Sequence, residues 1–489
     1  MADSLPIALL HLEIRHGEVA ENRAALLAHA EQAARDGARI IVAPEMAVSG
    51  YSFDGRGEVA AYAEAMTGDT VAALAEIARR YGVYCCVGLA ERDPATEIYY
   101  NSACVIGPEG APAAHHRKHV AERQWATPGA PTRRNMFATP WGRIGVLICS
   151  DTYYGLLPRS LALQEVALLL VPANWPPAGL DPREIWRARA LENGMGVVAC
   201  NRTGVDRRMD CRRAPSYAVT GEGQVLHDAA SAASAIHHLA FPLEEGRLPA
   251  AARRAALAGR RPADYGAIAL DMNGLGDFAG LWGLPPGGPF SVQCLIAAPG
   301  TPVTDEMIRR ALDDDARAHP GVLLIAGRPT VSLDALMAAL RGREQAVLTR
   351  VGEALHLISA DRHVILPPET GAVTADFGPA RLGIAWPAAL RHPEVAVALS
   401  KQGCDAIVTL ADRLDADARL LFGIKCLEKV LVAVASPDGA MICEPPGGHA
   451  RWRETYRRGP SVCQACLDTA ATRNKRFLDR VDLEVLLRR

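Results

Sequence analysis

Three reactive side chains each follow a short apolar run that is typical of a buried β-strand. Glu45 follows RIIVAP, Lys118 lies in HHRKHV, and Cys149 follows RIGVLI. Loops at strand ends commonly carry the catalytic groups of α/β proteins. A cysteine thiolate can attack a carbonyl carbon, a glutamate can exchange the proton, and a lysine cation can stabilise the negative charge that develops. Together they would support acyl transfer without a metal ion or a histidine.

Each of these residues also has a simpler interpretation. A cysteine at the end of an apolar strand is commonly a small buried residue. A glutamate in that position commonly caps a helix, and a lone lysine is commonly a solvated charge. Spacing alone does not join the three residues. A non-catalytic binding or scaffold protein is therefore the alternative from a different class.

Longer stretches resemble the nitrilase superfamily of carbon-nitrogen hydrolases, in the family's order, over residues 5–265. IIVAPEMAVSGY resembles the segment that carries the family's general base, which implies this role for Glu45. HHRKHVAERQWATPG resembles the lysine segment, which implies catalytic roles for Lys118 and Glu122. RIGVLICSD resembles the nucleophile segment, which implies that Cys149 is the nucleophile. The stretches LLLVPANWPP, RARALENG, NRTG and RRPADY continue the similarity.

The resemblance implies an α/β fold built as an α-β-β-α sandwich. It also implies hydrolysis of a non-peptide C–N bond, in a small amide or an N-carbamoyl compound, through a thioester on the cysteine. Ammonia or an amine would leave, and no cofactor would be needed. Among the substrate-binding groups, the resemblance implies the backbone N–H of Ser150 as an oxyanion donor. It further implies that Tyr153, Asn174 and Trp175 line the pocket.

The residues after the nucleophile bear on the substrate class. Family members that cleave nitriles typically resemble Cys-Trp-Glu here, whereas Cys149-Ser150-Asp151 is closer to the amidase and carbamoylase branches. Pro158-Arg159 stands where the carbamoylase pattern has Pro-Glu, which argues against a strict N-carbamoyl amino acid substrate. Nitrile hydrolysis, and acyl transfer to an amine by the same Cys-Glu-Lys site, remain alternatives.

The apolar periodicity predicts the elements that position these residues as strands alternating with helices. We expect strands at residues 6–12, 39–43, 83–89, 102–106, 143–148, 167–172 and 196–200. We expect helices at residues 20–35, 71–81, 158–164 and 183–193.

Length and composition narrow the class of protein. The chain of 489 residues exceeds what one core usually organises, and its 53 basic side chains nearly cancel its 55 acidic ones. This balance predicts neither a nucleic acid nor a membrane surface as a partner, and no stretch approaches the length of a membrane span. Cysteines in apolar runs suit a reducing compartment. We therefore expect a soluble cytoplasmic protein whose partner is a small-molecule amide substrate.

Other candidate metal ligands lack companions at ligand spacing. Cys463 and Cys466 form one CxxC pair without a second, and His115-His116 has no carboxylate or cysteine at ligand spacing. We therefore predict no metal site, and an exposed loop position for the two histidines.

The chain repeats its pattern after a Gly- and Pro-rich stretch, DMNGLGDFAGLWGLPPGGP. Residues 142–173 and 380–411 align without a gap at an offset of 238 (380 − 142), and LENGMGVVA corresponds to LEKVLVAVA. We predict a tandem duplication of the α-β-β-α sandwich. Its parts are a catalytic nitrilase-like domain at residues 1–270, a linker at 271–289 and a second nitrilase-like domain at 290–489.

The reactive residues of the first copy fall on unreactive ones in the second: Cys149 on Pro387, Lys118 on Arg362, and Glu45 on Arg328 or Pro329. We predict that the second copy is catalytically inactive. Because family members pair through a two-fold interface, the resemblance implies that the inactive copy supplies a partner surface within the chain. The tandem chain would then be an internal pseudo-dimer, present as a monomer or as a homo-oligomer. The alternative is that the cleft of the second copy is a regulatory or substrate-binding site.

Overall fold

The computed structural model describes residues 3–272, 277–298, 300–315, 319–327, 329–447, 450–473, 475–477 and 480–488. Arg328, one of the two counterparts considered for Glu45, lies outside these described residues. The chain folds into two compact units, one of residues 1–258 and 480–486 and the other of residues 259–479 and 487–489. Within the described part of the chain, no helix has the length and apolar character needed to cross a membrane.

The first unit contains two large β-sheets in the residues that the structure describes. Its strands are β1 (Ser4–His11), β2 (Ile40–Val42), β3 (Tyr84–Arg92), β4 (Tyr99–Ile106), β5 (Pro112–Arg117), β6 (Met136–Thr139), β7 (Gly142–Val146), β8 (Val166–Pro172), β9 (Gly196–Cys200), β10 (Val205–Asp206), β11 (Met209–Asp210), β12 (Ser216–Val219), β13 (Val225–Ala229) and β14 (Ala235–Pro242).

The two sheets have matching designs. One has the strand order β14-β1-β2-β3-β4-β5, and the other has the order β13-β12-β9-β8-β7-β6. Strands β1, β2 and β3 are parallel, as are β7, β8 and β9, and the outer strands pair antiparallel. Because β2 and β3 pack on β8, and β1 packs on β9, the sheets lie face to face.

Helices cover the outer faces of this sheet pair. The helices of the first unit's continuous segment are α1 (Val19–Arg35), α2 (Arg56–Val59), α3 (Asp69–Tyr81), α4 (Leu156–Leu163), α5 (Pro182–Asn193) and α6 (Ala251–Leu257). Helices α1 and α3 pack on the first sheet, and α4 and α5 pack on the second. The predicted α-β-β-α sandwich is therefore confirmed.

Apolar periodicity explains why these helices dock where they do. Leu26, Ala30 and Ala33 recur at helical spacing on α1 and are fully buried, in one cluster with Ile41 and Val87 from the first sheet. The burial of these apolar side chains supplies most of the driving force for packing the helix on the sheet.

The strands of the second unit are β15 (Pro289–Ile296), β16 (Gly321–Ile325), β17 (Gln345–Val351), β18 (Ala354–Ile358), β19 (His363–Leu366), β20 (Ala372–Phe377), β21 (Ala380–Ala385), β22 (Ala406–Leu410), β23 (Leu431–Ser436), β24 (Gly439–Glu444), β25 (Arg453–Arg457) and β26 (Ser461–Asp468). The later helices of the chain are α7 (Phe278–Trp282), α8 (Asp305–Asp315), α9 (Leu333–Leu340), α10 (Pro387–Leu390), α11 (Pro393–Lys401), α12 (Ala416–Gly423), α13 (Thr469–Thr472) and α14 (Leu483–Leu487).

The second unit has the same strand topology as the first. Its sheets have the orders β26-β15-β16-β17-β18-β19 and β25-β24-β23-β22-β21-β20, with the parallel strands in the same central places. Helix α8 packs on β15 and β16, and α12 packs on β23 and β24. The prediction of two tandem α-β-β-α sandwiches is thus confirmed, whereas the predicted domain limits at residues 270 and 290 stay a prediction.

Candidate active site

The first unit brings the predicted reactive residues together at the ends of its strands. Glu45 follows β2, Lys118 follows β5, and Cys149 follows β7. Asn174, predicted to line the pocket, follows β8. Strands β2, β7 and β8 belong to the parallel centres of the two facing sheets, so their carboxyl ends deliver these loops to one edge of the sandwich.

Two carboxylates hold the lysine. The Lys118 Nζ donates hydrogen bonds to Glu45 Oε1 at 2.7 Å and to Glu122 Oε1 at 2.5 Å. All three side chains are buried, with exposed fractions of 1%, 0% and 9% in that order. Buried charges are stable only when they are paired. The cluster therefore links the three predicted catalytic residues other than the cysteine.

Two further residues, Asn101 and Tyr51, complete this cluster. Sequence analysis predicted no role for either, although Tyr51 ends the stretch IIVAPEMAVSGY. The Asn101 Nδ2 on β4 donates to Glu45 Oε1 at 2.7 Å and to Glu122 Oε2 at 3.0 Å. The Tyr51 hydroxyl donates to Glu122 Oε1 at 2.7 Å, and the Tyr51 ring centroid lies 5.6 Å from Lys118 Nζ. No sequence signal singled out Asn101, which directly precedes the strand expected at residues 102–106 and stands beside the polar Ser102.

Burial and charge together set the protonation of the cluster. Burial raises the pKa of Glu45, and the Glu122 charge raises it further, against the opposing effect of Lys118. Burial acts against the charged form of Lys118, but the carboxylates of Glu122 and Glu45 outweigh it and raise its pKa well above the ordinary value. The lysine is thus a fixed cation, and the glutamate is a carboxylate that takes up a proton more readily than one in water.

The cysteine begins a 3₁₀ turn, Cys149–Tyr153, directly after β7. Its φ of 45° lies in the left-handed region, which is uncommon for a residue with a Cβ and concentrates at functional sites. Burial, followed by the Glu45 charge, raises the pKa of the Cys149 thiol well above its usual value. Lys118 and the backbone N–H of Asn174, which donates to the thiol, act in the opposite direction. The sulfur is therefore a thiol at rest, beside a carboxylate and a cation.

Asp151 fastens the cysteine turn to the lysine loop. Its Oδ1 accepts the backbone N–H groups of His119 and Val120, each at 3.0 Å, and its Oδ2 accepts the Ile148 N–H at 3.1 Å. The His116 Nε2 donates to the same Oδ2 at 2.7 Å. Burial alone would raise the pKa of Asp151, but His116 and these backbone donors hold it at about 2. The aspartate is thus a permanent anion between the two loops.

This arrangement corrects the prediction for His116. The histidine is buried on β5 and bonded to Asp151, so it is not an exposed loop residue. His115 also lies on β5, half-buried, with its Nε2 2.9 Å from Glu91 Oε2. The prediction failed because both carboxylate partners lie far from the histidines along the chain.

The remaining predicted pocket residues lie around the cysteine and on the next strand end. The Ser150 Oγ donates to the Val120 carbonyl at 3.3 Å. Tyr153 is buried in the same turn, with its ring 5.4 Å from that of Tyr154. The Asn174 Nδ2 donates to the backbone carbonyl of Glu45 at 3.0 Å.

Hydrogen bonds and a ring contact within the protein fix the position of the Trp175 side chain. Its backbone N–H donates to Asn201 Oδ1 at 3.0 Å, its Nε1 donates to the Leu180 carbonyl at 3.1 Å, and its ring meets the Trp186 ring at 6.0 Å. These contacts fix the side chain as part of the packing around the site.

The second unit has no comparable cluster at the corresponding point of its described residues. Where the first unit has Cys149 after β7, α10 begins at Pro387 after β21. The predicted match of Lys118 with Arg362 is wrong, because Lys118 follows its strand, whereas Arg362 precedes β19. Strands β5 and β19 occupy equivalent places in the two units, but Lys118 lies at the end of β5 and Arg362 lies at the start of β19. The two short sequences had been matched by residue type alone.

The hairpin that carries Asn101 is also shorter in the second unit. Strands β3 and β4 pair over eight residues, and the pair of Ala90 with Asn101 is the sixth. Strands β17 and β18 pair over five residues and end at Val351 and Ala354. The second unit therefore ends this ladder before the position that holds Asn101.

The structure brings together no metal-binding group of three or more His, Cys, Asp or Glu residues within its described ranges. Cys463 is buried and Cys466 is exposed, because a spacing of three places them on opposite faces of β26.

Comparison with known proteins finds relatives of the part of the chain that contains this site. The family model described as carbon-nitrogen hydrolase matches residues 6–235. The chain is 35% identical to a nitrilase of Pyrococcus abyssi over 182 residues, which cover 36% of this chain and 67% of the relative. It is 31% identical to an (R)-stereoselective amidase of Pseudomonas sp over 231 residues, which cover 46% of this chain and 81% of the relative.

Among solved structures, Nit3 of Saccharomyces cerevisiae, a member of the nitrilase superfamily, aligns at 20% identity with a TM-score of 0.47. The alignment covers 53% of this chain and 97% of that one. The identity to the amidase extends over four fifths of that protein, and the family model spans most of the first unit. The chain therefore belongs to the carbon-nitrogen hydrolase family of the nitrilase superfamily.

Proposed function

We propose that the first unit hydrolyses the C–N bond of a small amide or N-carbamoyl compound through a thioester on Cys149. The observation that carries this proposal is the buried lysine held between Glu45 and Glu122, beside a thiol whose pKa both Glu45 and Lys118 influence. The nitrilase and amidase relatives support cleavage of such bonds.

In the first step, the thiol proton passes to Glu45 as the sulfur attacks the substrate carbonyl carbon. Burial raises the pKa of both groups, which favours transfer during attack over a resting thiolate. The Lys118 cation stabilises the negative charge on the sulfur and on the carbonyl oxygen. We propose the Ser150 backbone N–H as a second donor to that oxygen.

In the second step, the tetrahedral intermediate collapses and the C–N bond breaks. Glu45 returns the proton to the leaving nitrogen, so that ammonia or an amine departs and the acyl group stays on Cys149 as a thioester. Glu122 does not exchange protons in this scheme. It keeps Lys118 in place and charged through the 2.5 Å hydrogen bond, with Tyr51 holding the same oxygen.

In the third step, a water molecule gives a proton to Glu45 and attacks the thioester carbon. The C–S bond breaks, the thiolate takes the proton back from Glu45, and the acid product leaves. A carbamoyl substrate would yield carbamic acid, which decomposes to ammonia and carbon dioxide. An amine in place of water would give acyl transfer by the same residues.

A panel of small amides, ureido acids and nitriles, assayed for ammonia release, tests the proposal. We expect turnover by the wild type and none by Cys149→Ala. Cys211→Ala is the matched control, because Cys211 is buried and close enough to Glu45 to feel its charge but is not the nucleophile. Wild-type turnover by Cys149→Ala on a confirmed substrate would reject the proposal. Product analysis with added amine separates hydrolysis from transfer.

Covalent labelling separates the enzyme from a binding or scaffold protein. We expect iodoacetamide to modify Cys149 and a substrate to block that modification. Equal modification of many cysteines, without protection by any compound of the panel, would favour the scaffold.

For the second unit we propose an inactive role, since Pro387 provides no nucleophile. We also propose a cytoplasmic location, because all twelve cysteines are free thiols among the described residues, and a reducing compartment keeps them so. Light scattering tests the expected monomer or homo-oligomer of the tandem chain.

A further inference from the structure

The C-terminal segment, residues 480–486, belongs to the first unit. It groups with residues 1–258, although it follows β26, the last described strand of the second unit. Val481, Val485 and Leu486 of this segment are buried, with exposed fractions of 7%, 6% and 0% in that order. Burial of these apolar side chains anchors the segment in the fold.

An arginine of the lysine loop binds this segment. The lysine loop, residues 118–135, connects β5 with β6 and contains Arg133. The Arg133 guanidinium donates to both carboxylate oxygens of Asp482, from Nε at 2.6 Å and from Nη2 at 3.2 Å, and Nη2 also donates to Glu484 Oε2 at 2.5 Å. Bidentate pairs of arginine and carboxylate fix the orientation of both partners. The C-terminal segment therefore holds the lysine loop near the end of that loop.

Arg480 of the segment contacts the lysine loop closer to the lysine. Its Nη1 donates to the backbone carbonyls of Pro128 and Gly129 at 3.2 Å and 3.4 Å. The Gly129 N–H in turn donates to the Lys118 carbonyl at 2.8 Å. A Cβ on Gly129 would lie 2.1 Å from the carbonyl oxygen of Arg117, so the two backbones are in direct contact. A single residue, Gly129, thus connects Arg480 with the backbone of Lys118.

The segment also reaches the residues on either side of the lysine. Asp482 lines a cavity together with His116 and His119. Burial lowers the pKa of His119 to about 4, and the charges of His116 and Arg480 act in the same direction. The C-terminal segment is therefore close enough to the start of the lysine loop to influence its charges.

The second unit is closed at the equivalent place by another segment. Its cavity is lined by residues that lie 238 positions (371 − 133) after residues lining the cavity of the first unit: Gly371 for Arg133, Val373 for Asn135, Val395 for Leu157 and Gln402 for Gln164. Arg261 and Asp264 complete this lining, and they follow α6 of the first unit but belong to the second unit. Each unit thus takes this part of its fold from the segment that follows the other unit along the chain.

We propose that the C-terminal segment is a positioning element that holds the lysine loop, and with it Lys118, in the geometry needed for catalysis. This inference rests on the proposed function and adds a requirement for the end of the chain. Arg480 and Asp482 are positioning residues, because they act through the backbone and Arg133 of the lysine loop. A displacement on the order of 1 Å at a catalytic group can lower the rate about 100-fold. The second unit then has a role without chemistry of its own, since its chain ends in the segment that the first unit needs.

Arg480→Ala in the full-length protein tests this role. Lys118 favours the thiolate of Cys149, so a displaced lysine loop should slow the alkylation of Cys149 by iodoacetamide, about 10-fold by mass spectrometry. We expect kcat/KM for a turned-over amide to fall about 10- to 100-fold, mainly in kcat. Hydrogen exchange should become faster in peptides from residues 118–135, while urea denaturation stays unchanged because Arg480 is exposed.

Three further variants complete the test. Arg133→Ala removes the ion pairs from the side of the loop and should have the same effects as Arg480→Ala. Arg480→Lys keeps a cation and a donor and should recover most of the wild-type alkylation rate. Arg476→Ala is the matched control, because Arg476 is also exposed but forms no hydrogen bond or ion pair with any residue that the structure describes. It should behave as the wild type in every measurement.

The outcomes separate this inference from the function on which it rests. If Arg480→Ala and Arg133→Ala match Arg476→Ala in alkylation, exchange of the lysine loop and kcat/KM, the positioning role is refuted and hydrolysis through Cys149 stands. If activity falls only in step with a loss of unfolding free energy and a uniform rise in exchange, the segment merely stabilises the fold and the proposal is likewise refuted. If no compound releases ammonia, the proposed function fails, while alkylation and exchange still decide whether the segment positions the loop.

Discussion

Replacing Asp151 with asparagine would cut the connection between the cysteine turn and the lysine loop. The carboxylate accepts two backbone N–H groups of the lysine loop, one from Ile148, and the side chain of His116. Asparagine has the same shape, but an NH₂ group would replace one of the two carboxylate oxygens. Each oxygen accepts two hydrogen bonds, so the NH₂ group would face two donors and leave both unpaired. We therefore expect both the stability of the first unit and the turnover to fall.

The size of the stability loss follows from the electrostatics of Asp151. A pKa held at about 2 instead of the ordinary 3.8 corresponds to about 2 kcal/mol of stabilisation of the folded state. Leaving two buried donors unpaired adds a further loss, so that we expect about 2–4 kcal/mol in total. For turnover, a displacement on the order of 1 Å between nucleophile and cation would lower kcat/KM roughly 100-fold.

The pH dependence of this loss has a definite sign. Because the folded-state pKa of Asp151 is lowered, its stabilisation is complete above about pH 4 and disappears as the pH falls towards 2. The difference in unfolding free energy between wild type and Asp151→Asn should therefore be full at neutral pH and shrink in acid.

Urea denaturation, with hydrogen exchange of peptides from the cysteine turn as a local probe, measures the loss. Asp210→Asn is the control, because Arg212 likewise holds the pKa of Asp210 at about 2, but this pair is exposed to solvent. We expect no measurable change there, since surface ion pairs contribute little. If Asp151→Asn were as harmless as Asp210→Asn in both stability and kcat/KM, the role given to Asp151 would be refuted.

Three further changes have defined outcomes. A Cβ on Gly88 would lie 2.5 Å from the Cα of Glu45, so Gly88→Ala should shift the base and lower kcat/KM at least 100-fold in a folded protein, as circular dichroism and initial rates would show. Burial raises the pKa of Glu45, and the hydrogen bond from Asn101 lowers it. Asn101→Ala removes that hydrogen bond and should therefore raise the pKa of Glu45 and move the acidic limb of the kcat/KM profile to higher pH. An unmoved limb would contradict this. Pro387→Cys should add no turnover to a Cys149→Ala background, because the second unit ends its hairpin before the Asn101 position; ammonia release by the double variant would contradict it.

The apolar pattern predicted the elements that are buried on both faces. The strand expected at residues 196–200 is β9, and the helix expected at residues 183–193 is α5 with one more residue at its start. Central parallel strands form continuous apolar runs, so their place in the chain is visible in the sequence. The same runs recur in the second unit, which is why the offset of 238 (380 − 142) aligns β7 with β21.

The polar parts of the site could not be predicted in the same way. Strand β5 has the sequence PAAHHR. Its two histidines and its arginine lower the local hydrophobicity, so the apolar pattern does not predict a strand there. The contact of His116 with Asp151 joins residues 35 positions apart, and that of Asn101 with Glu45 joins residues 56 apart. Such pairs are set by sheet register and loop packing, which no local pattern encodes. The mismatch of Lys118 with Arg362 arose for the same reason.

The central claim is that Cys149 carries the acyl group during turnover. Mixing the enzyme with a turned-over amide, quenching in acid within the first turnovers and weighing the proteolytic peptides by mass spectrometry measures this directly. We predict that the peptide containing Cys149 gains the mass of the acyl group and that this adduct is missing from Cys149→Ala. Continuing turnover with no acyl adduct on that peptide, or an adduct on another residue that also persists in Cys149→Ala, would contradict the claim.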